Sequence, residues 1–304
     1  MEKKINKILV IGKGNSGIRF NKILKKKNSV KLISSRKVKN LHLAKKIFYD
    51  LIIISSPASF HIDHLKKFLN FSNKFLIEKP LYCKSKEIKA LKKITKKNNK
   101  KFFINYNMRE LEIYKSLKLF LKKNKNKKIN YIKFYVGQNI KLWRKKKIEN
   151  SVSVNKFLGG GALLELSHEI DLAYYNFGIP DKSILISKKL DNIVNDVDDL
   201  SIIIFYYKKK NYILEINLNM LDHETKRYVE IIYSDLTIKF DAINSKIIKY
   251  KKNNVEKIIK LKNNLKKTYE IVPNKILNKN FKNLCDIKFA LKYGNLLTSQ
   301  KSVI

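Results

Sequence analysis

Three side chains able to move a proton share one regular spacing in GGGALLELSHEID, residues 159–171. If the stretch is helical, Glu165, His168 and Asp171 recur at i, i+3 and i+6 and share about 120° of arc. The rest of the segment is dominated by apolar residues, and an imidazole flanked on one face by two carboxylates is better explained as an acid–base group than as a core residue. Such a group takes a proton from a hydroxyl and returns it. Metal binding is the competing chemistry, but the spacing lacks the HExxH form and no second histidine is near, so no metal is expected. The other candidate is Lys79 in FLIEKPL. It follows an apolar run and precedes Pro80, which holds residue 79 extended, so its ammonium is fixed where most lysines are mobile. A fixed ammonium can hydrogen-bond a developing alkoxide, and Lys79 and His168 can exchange proton roles when desolvated.

Lys79 is fixed only if a strand ends there. Apolar runs at 8–11, 30–33, 51–54, 75–77 and 102–104 alternate with helical patterns such as 60–71, which predicts a doubly wound parallel sheet. Ligands bind outside the carboxyl ends of such strands. Lys79 and the adjoining Glu78 stand at the end of the fourth run, while Ser55, Ser56, Pro57 and His61 border the third and could line a nicotinamide pocket.

Gly12-Lys-Gly14-Asn15-Ser16-Gly17 follows the first run and opens a helix, the context a dinucleotide fingerprint requires. Gly12 permits the tight turn, Gly14 lets a pyrophosphate approach, and Gly17 allows close helix packing beneath the helix N-terminus. The second run ends Ser34-Ser35-Arg36, with no carboxylate for a ribose 2′-hydroxyl. Ser35 and Arg36 suit a 2′-phosphate, which favours NADP, with NAD possible.

After residue 105 the rhythm changes: strand-like runs at 131–136, 200–207, 212–218, 228–233, 236–240 and 247–250, joined by short polar links, read as a mostly antiparallel sheet, interrupted by one helix over 161–177 and followed by a helical pattern over 273–293. The expected division is a nucleotide-binding domain at 1–105, an α+β substrate and oligomerisation domain at 106–272, and a helical segment at 273–304 that could pack back on the first. Trp143 and Arg144 occupy a polar loop and could contact an anionic substrate group. Asn107 and Arg109, in NYNMRE, are further substrate-binding candidates.

The formal charge of +42 would ordinarily suggest a polyanion partner. Here lysine is spread along helix faces, and arginine occurs only at Arg19, Arg36, Arg109, Arg144 and Arg227, so no specific nucleic-acid partner is expected. Cys83 and Cys285 form no CxxC pair, and the N-terminus reads as neither signal peptide nor membrane span, which makes a cytoplasmic protein without disulfides the expectation.

In order, ILVIGKGNSG, IISSPASFH, IEKPL, NYNMRE and GGGALLELSHEID resemble the Gfo/Idh/MocA family of sugar and polyol oxidoreductases. The resemblance implies a Rossmann domain, a second domain whose open sheet mediates homodimer or homotetramer contacts, and a pyridine nucleotide cofactor. It also implies a sugar or nucleotide-sugar substrate, with Lys79 and His168 at catalytic positions. Many members carry an aspartate four residues before the histidine; here Leu164 stands there, and Glu165, three before, is its candidate substitute. The form of the last motif is similar to members found with surface-polysaccharide sugar biosynthesis. Nicotinamide-assisted elimination or glycoside cleavage on the same fold, and cofactor binding without turnover, are the alternatives.

Overall fold

Burial on both faces explains the continuous apolar runs. All four residues of Leu51–Ile54 are buried, as are the last four of Lys7–Ile11, while Ser29–Ile33 at the sheet edge is partly exposed. The computed structural model describes residues 5–36, 41, 42, 44, 46–143, 148, 151–191, 196–252 and 254–298. The described residues divide into two units, one within 5–110 with 265–298 and one within 111–264.

The first unit opens with β1 (Lys7–Ile11), α1 (Asn15–Leu24), β2 (Ser29–Ile33), β3 (Leu51–Ile54) and α2 (His61–Phe68). β4 (Lys74–Ile77), α3 (Ser85–Lys97) and β5 (Lys101–Ile104) complete the alternation. The strands lie in the order β5-β4-β3-β1-β2, all parallel. Strand order reverses at β1, so the glycine loop leaves the sheet at the switch point where doubly wound folds bind ligands.

The second unit contains α4 (Glu112–Lys123), β6 (Ile129–Gly137), α5 (Ile140–Trp143), α6 (Ala162–Glu165) and α7 (His168–Phe177). Seven strands follow: β7 (Lys182–Lys188), β8 (Leu200–Tyr207), β9 (Tyr212–Asn219), β10 (Lys226–Tyr233), β11 (Thr237–Asp241), β12 (Lys246–Lys251) and β13 (Asn254–Lys260). The sheet runs β13-β12-β11-β10-β6-β9-β8-β7, antiparallel except where β6 pairs with β9. Alternate residues of β8 are buried, and α7 covers that face, with Tyr174 edge-on to Phe205 at 5.3 Å and Phe177 edge-on to Phe134 at 6.1 Å.

The chain then returns to the first unit as α8 (Leu265–Leu277), β14 (Cys285–Asp286), α9 (Ile287–Ala290) and α10 (Gly294–Thr298). β14 pairs antiparallel with β5, and Val272 and Ile276 of α8 join the core built on Ile8, Val10, Phe20 and Ile53. The returning helix therefore begins at Leu265 rather than at Pro273, which lies buried inside it. Fold class follows directly: a Rossmann-type parallel sheet joined to an α+β unit with a large, mostly antiparallel sheet. Among the described residues, no helix is long and apolar enough to cross a membrane.

Candidate functional site

Close packing makes two of the three fingerprint glycines obligatory. Gly12 has φ 118°, and a Cβ there would fall 2.5 Å from the Ser55 carbonyl oxygen; on Gly17 it would fall 1.8 Å from the Gly12 carbonyl oxygen. At Gly14 a Cβ would meet nothing within 4 Å. Gly14 is also the N-cap of α1, whose first turn has neither a side-chain cap nor an acidic residue. Exposed Asn15 and half-buried Ser16 follow, so helix N–H groups and a positive dipole end face open space. This cradle fits a dinucleotide pyrophosphate.

The ends of β2, β3 and β4 are braced by two histidines on α2. His61 is buried, and its Nε2 donates to the Ser56 carbonyl at 2.8 Å. His64 bridges Ser35 and Ser56, and the helical pattern alone gave no reason to single it out. Ser55 Oγ donates to the Ile11 carbonyl at 3.1 Å, so Ser55, Ser56 and His61 hold the turn beside Pro57 in shape. At the end of β2, Ser35 is half-buried and Arg36 exposed.

Burial pushes the His61 pKa down to about 4 against backbone hydrogen bonding at Ser56, Pro80 and Leu81, which favours the charged ring. The unfolded imidazole titrates near 6.5. As pH falls through that window the unfolded chain gains a proton that the native chain refuses, so stability complete above 6.5 is lost progressively toward about 4. Between about pH 7 and about pH 5 the loss from this residue is about 2 kcal/mol. Denaturant unfolding at the two pH values should therefore show His61→Gln losing about 2 kcal/mol less than the native chain. Equal losses would mean that the ring is protonated in the fold.

Glu78 ties Lys79 to the glycine loop. Its carboxylate accepts from the Ser16 hydroxyl, from Asn105 Nδ2 at 2.9 Å and from the Lys79 backbone N–H at 3.3 Å. Burial raises the Glu78 pKa, opposed by the Ser16 and Asn105 hydrogen bonds and the Lys79 charge. Lys79 is half-buried, and the Lys79–Pro80 bond is cis.

Asn107 and Arg109 lie deeper than a substrate-binding role requires. Asn107 Nδ2 donates to Thr268 Oγ1 at 2.7 Å. Arg109, 4% exposed, donates to the Leu284 carbonyl at 3.2 Å, and its guanidinium lies over the Phe289 ring at 4.7 Å. Both side chains hold the returning segment in the first unit. Trp143 ends α5, and Arg144 lies outside the described residues.

In the second unit the single helix expected over 161–177 is two, α6 and α7, separated by Leu166 and Ser167. Ser167 Oγ donates to the Leu164 carbonyl at 2.8 Å, an acceptor that a continuous helix would give to the His168 N–H. The i, i+3, i+6 stripe therefore holds only for His168 and Asp171. His168 is 8% exposed and Asp171 fully buried, whereas half-buried Glu165 accepts from Ser153 Oγ at 3.0 Å. The preceding glycines are conformational: Gly159 and Gly161 have φ 87° and 106°, and a Cβ on Gly160 would fall 2.5 Å from the Ser153 carbonyl oxygen. Asp198 holds the start of α6 through the Leu163 N–H at 2.7 Å. Glu169, beside His168, is buried against Arg227, with Nε 2.8 Å from Oε1, an ion pair that locks α7 to β10. Among the described residues, no three His, Cys, Asp or Glu side chains gather as a metal site.

A glycine-looped nucleotide cradle on a parallel sheet defines a dinucleotide-binding protein. Residues 21–106 match the family model GFO_IDH_MocA, described as an oxidoreductase family with an NAD-binding Rossmann fold. Oxidoreductase P35 of Formosa agariphila is 26% identical over 130 residues, which cover 42% of this chain and 40% of that protein. The chain thus matches under half the length of this curated relative.

Two solved structures share the fold across nearly the whole chain. Biliverdin reductase from Synechocystis sp. PCC 6803, with biliverdin and NADP+, has a TM-score of 0.75 at 11% identity and covers 96% of both chains. The WlbA dehydrogenase from Bordetella pertussis, with NADH and UDP-GlcNAcA, has a TM-score of 0.73 at 14% identity, covering 97% of this chain and 95% of that one.

Proposed function

We propose that this chain is an NADP-dependent oxidoreductase acting on a secondary hydroxyl or keto group of a sugar or nucleotide sugar in the cytoplasm. The observation that carries the reading is the tie from the glycine loop through Ser16 and Glu78 to the Lys79 backbone N–H, which fixes the backbone carrying this half-buried lysine to the nucleotide cradle. Hydride acceptance and donation are what a bound nicotinamide supplies. Ser35 and Arg36 bind the 2′-phosphate, the α1 N-terminus holds the pyrophosphate, and Lys79 hydrogen-bonds the alkoxide. His168 takes the hydroxyl proton, oriented by Asp171 or Glu165.

Nucleotide-sugar substrates are supported by the UDP-GlcNAcA complex of the Bordetella protein, and a place in surface-polysaccharide sugar biosynthesis by the form of the HEID motif. Ile184, Ile186 and Ile213, exposed on one face of the second unit's sheet, support homodimer or homotetramer contact there. Separate NADPH and NADH titrations by nicotinamide fluorescence at physiological salt, followed by a nucleotide-sugar screen, test the proposal. Tighter NADPH binding and sugar-dependent change in nicotinamide redox state are expected. Preference for NADH would overturn the Ser35 and Arg36 assignment, and sugar product without redox change would favour elimination.

A further inference from the structure

We infer that His64 is a positioning residue that sets selectivity for the 2′ substituent of the adenosine ribose; the inference rests on the NADP reading above. His64 lies one turn after His61 on α2 and is 2% exposed. Its Nε2 is 3.2 Å from the Ser35 carbonyl oxygen, which can only accept, so Nε2 carries the proton. Nδ1 is then an acceptor and takes the Ser56 hydroxyl at 3.0 Å. One neutral ring thereby joins the end of β2 to the end of β3. Burial lowers its pKa, Lys67 acts in the same direction, and Asp63 with the Ser35 and Phe60 backbone opposes, which keeps the neutral tautomer in place near pH 7.

The turn that His64 holds has few other anchors. β2 is an edge strand, and its last ladder bond is the Gly12 N–H to the Ile33 carbonyl at 2.9 Å. Beyond it, the Arg36 N–H reaches only Ser34 Oγ, at 3.3 Å, inside the same turn. Among the described residues, the hydrogen bond from the 34–36 turn to another element is the one from His64. Without it the Ser35–Arg36 peptide can rotate, and a 2′-phosphate must order the turn on binding, which weakens that contact selectively. A nucleotide lacking the 2′-phosphate does not depend on this turn.

The test is calorimetric titration of the full chain with 2′,5′-ADP and with 5′-AMP, in the native protein and three variants. The native chain should favour 2′,5′-ADP by at least about tenfold. His64→Leu, close in volume and without a donor, should lose most of that ratio, while 5′-AMP affinity stays within about twofold and so reports an intact fold. His64→Gln, whose amide reaches as far as Nε2, should keep the ratio. His64→Asn, whose amide reaches Ser56 but not Ser35, should behave like Leu and serves if Leu does not fold. A native preference that persists in Leu and Asn would overturn the inference and leave the NADP reading standing. Equal native affinity for both nucleotides would overturn that reading and the inference with it.

Discussion

Gly14→Ala should melt at the native temperature and bind NADPH about a hundredfold more weakly, a loss of about 2.7 kcal/mol. The two halves of this result have separate causes. Gly14 has φ −75° and ψ 178°, a conformation alanine adopts without strain, and a Cβ there has no neighbour within 4 Å. Folding is therefore untouched, while the added methyl occupies the space a pyrophosphate must enter. Gly17→Ala should behave in the opposite way, since its Cβ would sit 1.8 Å from the Gly12 carbonyl oxygen and only a backbone shift relieves it. Overpacking of that kind costs about 3 kcal/mol or more, so Gly17→Ala should melt well below the native chain. Thermal melting and NADPH titration of both variants separate the effects. Native NADPH affinity in Gly14→Ala would remove the glycine loop from the nucleotide site.

That contrast marks what the sequence could and could not carry. Strands buried on both faces read as uninterrupted apolar runs, which made β1, β3, β4 and β5 legible, and the glycines between β1 and α1 placed the switch point. β7 and β13 escaped notice because edge strands lack a buried alternation: β13 is exposed at every residue, and β7 buries only Leu185. The break before α7 was hidden in the residue alphabet. Ser167 looks like any tolerated helix serine, and its turn back to the Leu164 carbonyl is a choice of partner that spacing does not encode. His64 was concealed in the same way, on a helix face that would serve equally well for packing. Arg109 shows the converse: a rare arginine reads as a ligand contact, yet the returning segment, far along the chain, supplies the Leu284 carbonyl and the Phe289 ring that it meets.

The broken helix separates the groups around His168. Lys79→Ala and His168→Ala should each lower turnover by at least about 10²-fold, about 2.7 kcal/mol of barrier, while NADPH affinity changes little. Lys79 can be removed without undoing the loop, because Glu78 is held by Ser16, Asn105 and the backbone N–H of residue 79, none of which needs the ammonium. The same separation lets the two carboxylates be ranked. Asp171 shares α7 with His168 at one-turn spacing and is fully buried, whereas Glu165 belongs to α6 and receives the Ser153 hydroxyl. A carboxylate fixed on the same rigid helix holds an imidazole more firmly than one on a separate helix. Asp171→Asn should therefore cost more turnover than Glu165→Gln and should shift the pH profile of kcat, while Glu165→Gln acts mainly on stability through Ser153. Full activity in either alanine variant would remove that residue from the chemistry, and a larger loss in Glu165→Gln would return the orienting role to α6.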